Sequence, residues 1–401
     1  MKPEVPMSSV TNPHRLIILL AALVAFGPLS IDMYLPSLPL IAADLNAPES
    51  SIQLTISTFL VGLFIGMLFY GPLSDKFGRR KLLLGGITLY MAASIGCIFA
   101  ASADHLIAWR FVQALGAAAA SVLARAIVRD LFPLNEAARV LSLMHLVTMI
   151  ATLVAPLLGG YLILISEWRA LFVVLFAFAA IMLLASLWKI PETHHGDSRN
   201  ASILAVFKAY VQIIRQPVAV GYILCMALSF AGMFAYITAS SFVYIEYFGL
   251  SAQQFAWLFS LNIGGIIVLV SLNARYVGTL GTQKLLIAGA LLAALSGLVL
   301  LLAGMTGLGG LPLIVAGLLG YVSVTGVMGA NCMASLLSHY PQQAGAAAGL
   351  AVACQFGLGA VASSLTGALH DGSPLPMTLI IGVTGIGSLL ALALTRSRQS
   401  S

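Results

Sequence analysis

The chain has 401 residues, of which 60% are hydrophobic and only 8% charged. A water-soluble domain carries about a quarter charged residues, so that class is excluded. The net charge of +6 would suit nucleic acid by its sign, but the positions of the charges point to a membrane.

At about 20 residues per crossing, this length accommodates about twelve helices with short loops. The apolar runs are continuous rather than alternating, which excludes the strands of a membrane barrel. The spans fall near 15–40, 53–72, 82–102, 105–128, 140–164, 168–189, 217–243, 253–274, 283–304, 310–337, 344–369 and 375–395. The run from Leu16 is too long for a cleavable signal, and Asp32 and Pro36 do not fit a cleavage site. It reads as a first span.

Asp32 is the single charge in that span, within S-I-D-M-Y-L-P-S-L-P. A carboxylate at membrane depth costs several kcal/mol unless it is paired, hydrated or protonated. Asp32 is therefore the leading functional candidate. After span two comes G-P-L-S-D-K-F-G-R-R-K at 71–81, where Gly71 and Gly78 allow close helix approach and a tight turn. Asp75 lies near the start of the turn, and Asp130 at the end of span four is the expected partner of Arg79 or Arg80, in a charge network expected to gate the cytoplasmic side. A simple topogenic signal would need only the basic residues.

In span four, Arg110 is the one intramembrane base, with Gln113 one turn below it. Counting 1.5 Å per residue from the span ends puts Asp32 roughly 12 Å and Arg110 roughly 8 Å below the same face. The two are expected to meet in a central cavity, with a static bridge between spans one and four as the alternative. Span five carries A-P-L-L-G-G at 155–160. Pro156 removes a backbone hydrogen bond, and Gly159 and Gly160 let helices approach closely, which suits a seal against proton leak or a generic kink. His145, alone near the inner end of this span, reads as structural.

The connection from Pro191 to Pro217 begins with a polar stretch and continues with Ile203, Val206, Phe207, Tyr210, Ile213 and Ile214 at helical spacing. That pattern predicts an amphipathic helix on the inner leaflet. His194 and His195 lack further ligands nearby and read as solvated linker. Beyond it, Phe230, Phe234, Tyr236 and Phe356, with Met33 and Tyr34, suit an apolar, adaptable cavity wall. Asn262, Asn331 and Gln355 are isolated amides that either bond neighbouring helices or line the cavity. Glu246, with Tyr244 and Tyr247, marks an outer interface. Cys97, Cys225, Cys332 and Cys354 lie in apolar runs without metal-ligand spacing and read as packing residues.

With the N-terminus placed inside, 17 of the 19 basic residues fall on the cytoplasmic side, while Arg110 is intramembrane and Arg169 lies outside. The positive-inside rule therefore puts both termini in the cytoplasm. F-G-R-R-K-L-L at 77–83 reappears as L-G-T-Q-K-L-L at 280–286, about half the chain later. With equal six-span halves, this predicts a duplicated architecture: 1–190 and 217–401 as six-helix bundles joined by 191–216.

The 71–81 stretch resembles the G-x-L-x-D-x-x-G-R-[RK] signature of the major facilitator superfamily. W-R-F-V-Q-A-L-G at 109–116 resembles its span-four R-x-x-Q-x-x-G element. A-P-L-L-G-G is similar to the G-P-x-x-G-G element of drug–proton antiporters, with Ala155 in place of the first glycine. D-M-Y-L-P at 32–36 and S-F-V-Y-I-E at 241–246 narrow the resemblance to bicyclomycin-resistance and chloramphenicol/florfenicol exporters. The resemblance implies an all-α transporter of twelve transmembrane helices in two pseudo-symmetric halves, monomeric in a bacterial inner membrane and working by alternating access. It implies drug-like small molecules and protons as partners, with Asp32 and Arg110 in proton coupling, and no cofactor, nucleic acid or enzymatic step. The chain has no G-x-x-x-x-G-K-[ST] loop, which argues against ATP as driver. A proton-coupled uptake carrier on the same fold is the alternative, and the element at 155–160 counts against it.

Overall fold

The computed structural model describes residues 13–193 and 203–395; His194 and His195 lie outside them. Among the described residues, eleven helices are long and apolar enough to cross a membrane, and a broken pair at the start brings the total to 12 when counted as one span. Span one is that pair. It consists of α1 (Pro13–Leu23), α2 (Phe26–Asp32), a short 3-10 turn and α3 (Leu38–Asp44), with a 43° bend between α1 and the rest. Gly27, Pro28, Pro36 and Pro39 explain why an apolar run that reads as continuous is interrupted, since proline removes backbone donors.

The remaining spans are α4 (Glu49–Phe77), α5 (Arg79–Ile98), α6 (Ala103–Leu131), α7 (Leu134–Ile165), α8 (Arg169–Lys189), α10 (Pro217–Ser241), α11 (Ala252–Leu280), α12 (Thr282–Thr306), α13 (Gly310–His339), α14 (Ala344–Ala368) and α15 (Leu375–Ala391). Between the two sets lies α9 (Ile203–Ile214). The packing pattern repeats. In the first set α6 packs on α4 and α5, α8 on α5, and α7 on span one. In the second, α13 packs on α11 and α12, α15 on α12, and α14 on α10. The turns before α5 and α12 also match: Gly78 has φ 95 and ψ 147, and Gly281 has φ 82 and ψ 152. Only glycine adopts that backbone without strain, so the short internal repeat encodes one turn twice.

The halves meet along two symmetry-related seams, α4 against α14 and α7 against α11. Ser57 and Ser363 share a 2.7 Å hydrogen bond across the first. In the second, Gln253 donates to the Gly160 carbonyl at 2.8 Å and Ser260 to the Leu153 carbonyl at 2.9 Å. These bonds lie toward the end that carries Asp44, Glu49 and Asp371, called here the acidic end. The end that carries Asp75–Lys81 and Arg129 is the basic end. There α9 lies against both α4 and α14, with Phe207 on Phe69 at 5.5 Å. Tyr210 and Ile213 of the expected apolar face are buried. Ile214 is instead 52% exposed, beside Val211 at 49%, so α9 keeps apolar surface uncovered.

Candidate functional site

Asp32 is the last residue of α2 and is 4% exposed. Its side chain is held by the Thr152 hydroxyl of α7 and lies close enough to Tyr236 of α10 to interact electrostatically. Tyr236 stacks on Phe259 at 5.4 Å, and its hydroxyl accepts a 2.9 Å hydrogen bond from Asn262 Nδ2. The carboxyl therefore faces the junction between the halves. Asn262 Oδ1 is buried without a partner at the same place. Thr152 is positioned by chemistry that its sequence context contains. Pro156, four residues on, has no N–H to give the Thr152 carbonyl, so this helix turn is loosened where the side chain turns to Asp32.

Arg110 does not pair with Asp32. Its guanidinium lies 4.6 Å from the Tyr34 ring centre, 4.3 Å from Phe59 and 5.9 Å from Phe172. Nη1 donates to Gln113 Oε1 at 2.7 Å, and Gln113 Nε2 donates to Ser94 Oγ at 2.9 Å. Nε and Nη2 are buried without a hydrogen-bond partner. The expected meeting fails on direction rather than depth. Two residues along a helix turn by about 200°, so Asp32 and Tyr34 leave the backbone on opposite sides. Tyr34 covers Arg110 while Asp32 faces away. Met33 and Tyr34, expected on the cavity wall, are 2% and 1% exposed. Tyr34 bonds Thr55 Oγ1 at 3.0 Å and belongs to the cage around Arg110. Gln113 is likewise enclosed.

The other expected wall residues do gather. Phe230 lies 5.0 Å from Phe234 and 5.7 Å from Phe356, ring centre to ring centre. Phe230, Gln355 and Phe356 are half-buried, as the lining of a cavity would be. Asn331 is used up in structure, donating to Asn273 Oδ1 at 2.8 Å. Two side chains had no part in the sequence-based cavity. Arg125 of α6 and His145 of α7 are exposed, and they interact electrostatically.

At the basic end, Arg79 is 9% exposed and bonds Asp75 at 2.6 Å, Asp130 at 3.0 Å and the Ser74 hydroxyl. Glu192 was not anticipated. Its Oε1 accepts from the Arg79 backbone N–H at 2.8 Å and its Oε2 from that of Arg80 at 3.2 Å. A carboxylate thus caps the N-terminus of α5, where the helix dipole favours negative charge. Arg80 turns outward, donating to the Leu187 carbonyl at 2.7 Å. Ser74, Asp75 and Asp130 belong to the first half and Glu192 opens the linker that follows it, so these bonds tie the first half to the start of the linker. Gly78 makes the turn as expected. A Cβ on Gly71 would meet nothing within 4 Å, so close approach is not what that glycine provides.

Gly159 and Gly160 serve different partners. A Cβ on Gly159 would strike the carbonyl of Met33, and one on Gly160 would lie 3.3 Å from the Ala252 carbonyl of α11. Gly159 therefore lets α7 press against the turn of span one that follows Asp32. Gly159→Ala is expected to cost about 1–3 kcal/mol as an overpacked backbone contact. Gly264→Ala, with open space around it, should leave the melting temperature unchanged. Melting of the two purified variants checks this.

The Major Facilitator Superfamily profile matches residues 18–364. The chain is 34% identical over 394 residues to the "Bicyclomycin resistance protein homolog" of Haemophilus influenzae, covering 98% of this chain and 99% of that protein. It is 30% identical over 287 residues to the "Multidrug resistance protein MdtL" of Escherichia coli, covering 71% and 72%. Among solved structures, it is similar to a D-xylose-proton symporter with TM-score 0.73 at 19% identity, covering 95% of this chain and 97% of that one. The nucleoside transporter NupG matches with TM-score 0.75 at 14% identity, covering 95% and 98%; at such identities the likeness shows the fold alone. The broken first span, the paired seams and the repeated glycine turn belong to a transporter of the Major Facilitator Superfamily, in the branch that holds its bicyclomycin-resistance relative.

Proposed function

We propose that this protein is a proton-coupled exporter of drug-like small molecules, of the bicyclomycin or phenicol type, in a bacterial inner membrane. The observation that carries the reading is Asp32, a lone carboxyl enclosed where the two halves meet. The near-full-length relative named for bicyclomycin resistance supplies the substrate class. The charge bias along the chain supports cytoplasmic termini, which makes the basic end the inner one.

In this reading the structure faces inward. The acidic end is fastened by the α4–α14 and α7–α11 bonds, while Arg125 and His145 reach solvent on the way to the basic end. A drug enters there and rests against Phe230, Phe234 and Phe356, with Tyr236, Asn262 and Gln355 offering hydrogen bonds. A proton on Asp32 removes its charge, so the halves can close around the carboxyl at lower cost. The drug and the proton favour different states, and coupling is the difference in their affinities between those states. Arg110 keeps two donors free for an acceptor that arrives when span one moves, either Asp32 or a drug carbonyl. The Asp75–Arg79–Asp130–Glu192 network holds the basic-end turn while this happens.

Proton-gradient-driven flux of bicyclomycin and chloramphenicol in vesicles of known orientation tests the reading. Accumulation in inside-out vesicles is expected, and uptake into right-side-out vesicles would establish a symporter instead. Asp130→Asn removes one carboxylate from Arg79 and is expected to loosen the basic-end turn. A cysteine at Gly345, which neighbours Arg129, should then be labelled several-fold faster. Unchanged labelling would confine the network to local stability.

A further inference from the structure

The acidic end holds a second group of titratable side chains, remote in sequence and drawn together from both halves. Glu49 opens α4, His370 follows α14, and Glu246 lies in a π-helical turn, Phe242–Tyr247, that ends α10. His370 Nε2 is 2.6 Å from Glu49 Oε2, an ion-pair distance across the halves. Its Nδ1 lies 3.4 Å from Gln53 Nε2. The Glu246 carboxyl lies within hydrogen-bonding reach of that of Glu49. Two carboxyls can share a hydrogen bond only if one of them carries a proton. Gln53 itself is fully buried, and its Oε1 has no partner.

We propose that Glu49, Glu246 and His370 form a second proton-binding site, distinct from Asp32, whose proton fastens the two halves at the acidic end. Gln53 Nε2 can donate to His370 Nδ1 when that nitrogen carries no proton, and in that tautomer Nε2–H donates to Glu49. Burial holds His370 below the usual imidazole range, against the opposing pull of Asp371 and Glu246, in keeping with this tautomer. Glu49 then accepts from His370 on one side and shares the bound proton with Glu246 on the other. Loss of that proton leaves two adjacent carboxylates on opposite halves, and their repulsion drives the halves apart. Gln53 gives the site room for one proton more. If His370 is protonated, a turned amide accepts from Nδ1–H with the oxygen that now lacks a partner.

The surrounding charges do not neutralise the pair. Asp371 is engaged by Ser373, through its N–H at 2.9 Å and its hydroxyl at 2.7 Å. From α3, Asp44 is held by Arg169 at 2.8 Å and by Trp168 Nε1 at 3.0 Å. Phe242 covers one face of His370 at 5.9 Å. The π turn accounts for the reach of Glu246, because one wide turn rotates the residues after Ser241 relative to a continuous α-helix. The sign follows from linkage. The fastened state binds a proton that the separated state releases, so fastening is strong at low pH and is lost as pH rises.

The test uses the full chain in lipid nanodiscs without substrate, with the four native cysteines changed to alanine and spin labels at Ala101→Cys and Leu308→Cys. These are exposed acidic-end positions, one on each half. Raising the pH from about 5.5 to about 9 should lengthen the label distance. Glu246→Gln donates an amide N–H to Glu49 without needing a proton, so the distance should stay short throughout and the transition should disappear. His370→Gln keeps a neutral donor and should retain the transition, moved by less than about one pH unit. Asp32→Asn should leave it in place. The site is overturned if the wild-type distance is independent of pH, or if the transition survives in Glu246→Gln. It is equally overturned if Asp32→Asn alone abolishes the transition, because the proton would then sit on Asp32. None of these outcomes depends on which compound is exported.

Discussion

Asp32→Asn is expected to abolish proton-driven export while leaving folding and drug binding intact. Asparagine has the shape of the protonated acid and can still engage the Thr152 hydroxyl, so the junction with Tyr236 and Asn262 is not disturbed. What it removes is the ability to gain and lose a charge. Drug affinity in detergent should change by less than about threefold, under 1 kcal/mol. Gradient-driven efflux should fall by at least about tenfold, equal to about 1.4 kcal/mol in the coupling. Proton release on drug addition, followed with a pH dye in weak buffer, should vanish. Normal resistance together with normal proton release would show that coupling resides elsewhere, and the acidic-end cluster would be the next candidate.

The sequence reveals this site unevenly, for physical reasons. Span count and the internal repeat are legible because lipid demands long apolar runs and because a left-handed turn demands glycine; Gly78 and Gly281 carry both facts. Asp32 and Arg110 stand out because charge at membrane depth is rare. Their separation was not legible. Counting residues gives depth, but the rotation of span one about its own axis sets direction, and proline positions do not specify the angle at which it bends after Leu23. Phe59, Phe172 and Thr152 are ordinary residues in apolar runs, and only the packing of three helices shows that they enclose the two charges. Glu192 was hidden for the opposite reason. It lies in a polar stretch where one more carboxylate raises no question, yet it caps a helix more than a hundred residues away. A signal was available at Glu246, an acid at the end of an apolar span, but its partners Glu49 and His370 belong to segments far apart in the chain.

Arg110→Lys is expected to fold and to export at least about tenfold less than wild type, a loss of about 1.4 kcal/mol or more. The guanidinium is planar, so it can lie against Tyr34 and Phe59 together and still donate to Gln113 from its edge. An ammonium keeps the charge but presents no plane to stack and no second edge to offer an arriving acceptor. A desolvated cation–π contact contributes up to about 2 kcal/mol, and most of that is lost. A lysine so enclosed also tends to give up its proton near neutral pH. The defect should therefore deepen as pH rises from about 6 to about 8, where arginine stays charged. The absence of an ion pair to Asp32 adds a discriminating result. Effects of Asp32→Asn and Arg110→Gln on melting temperature should add, because groups without a shared partner do not couple. A static bridge predicts the reverse, with the second substitution restoring what the first removed. Recovered export in the double variant would mean that the two groups meet in the outward-facing state and act there as one unit. Arg110→Lys that exports normally across the same pH range would reduce the cage around Arg110 to packing.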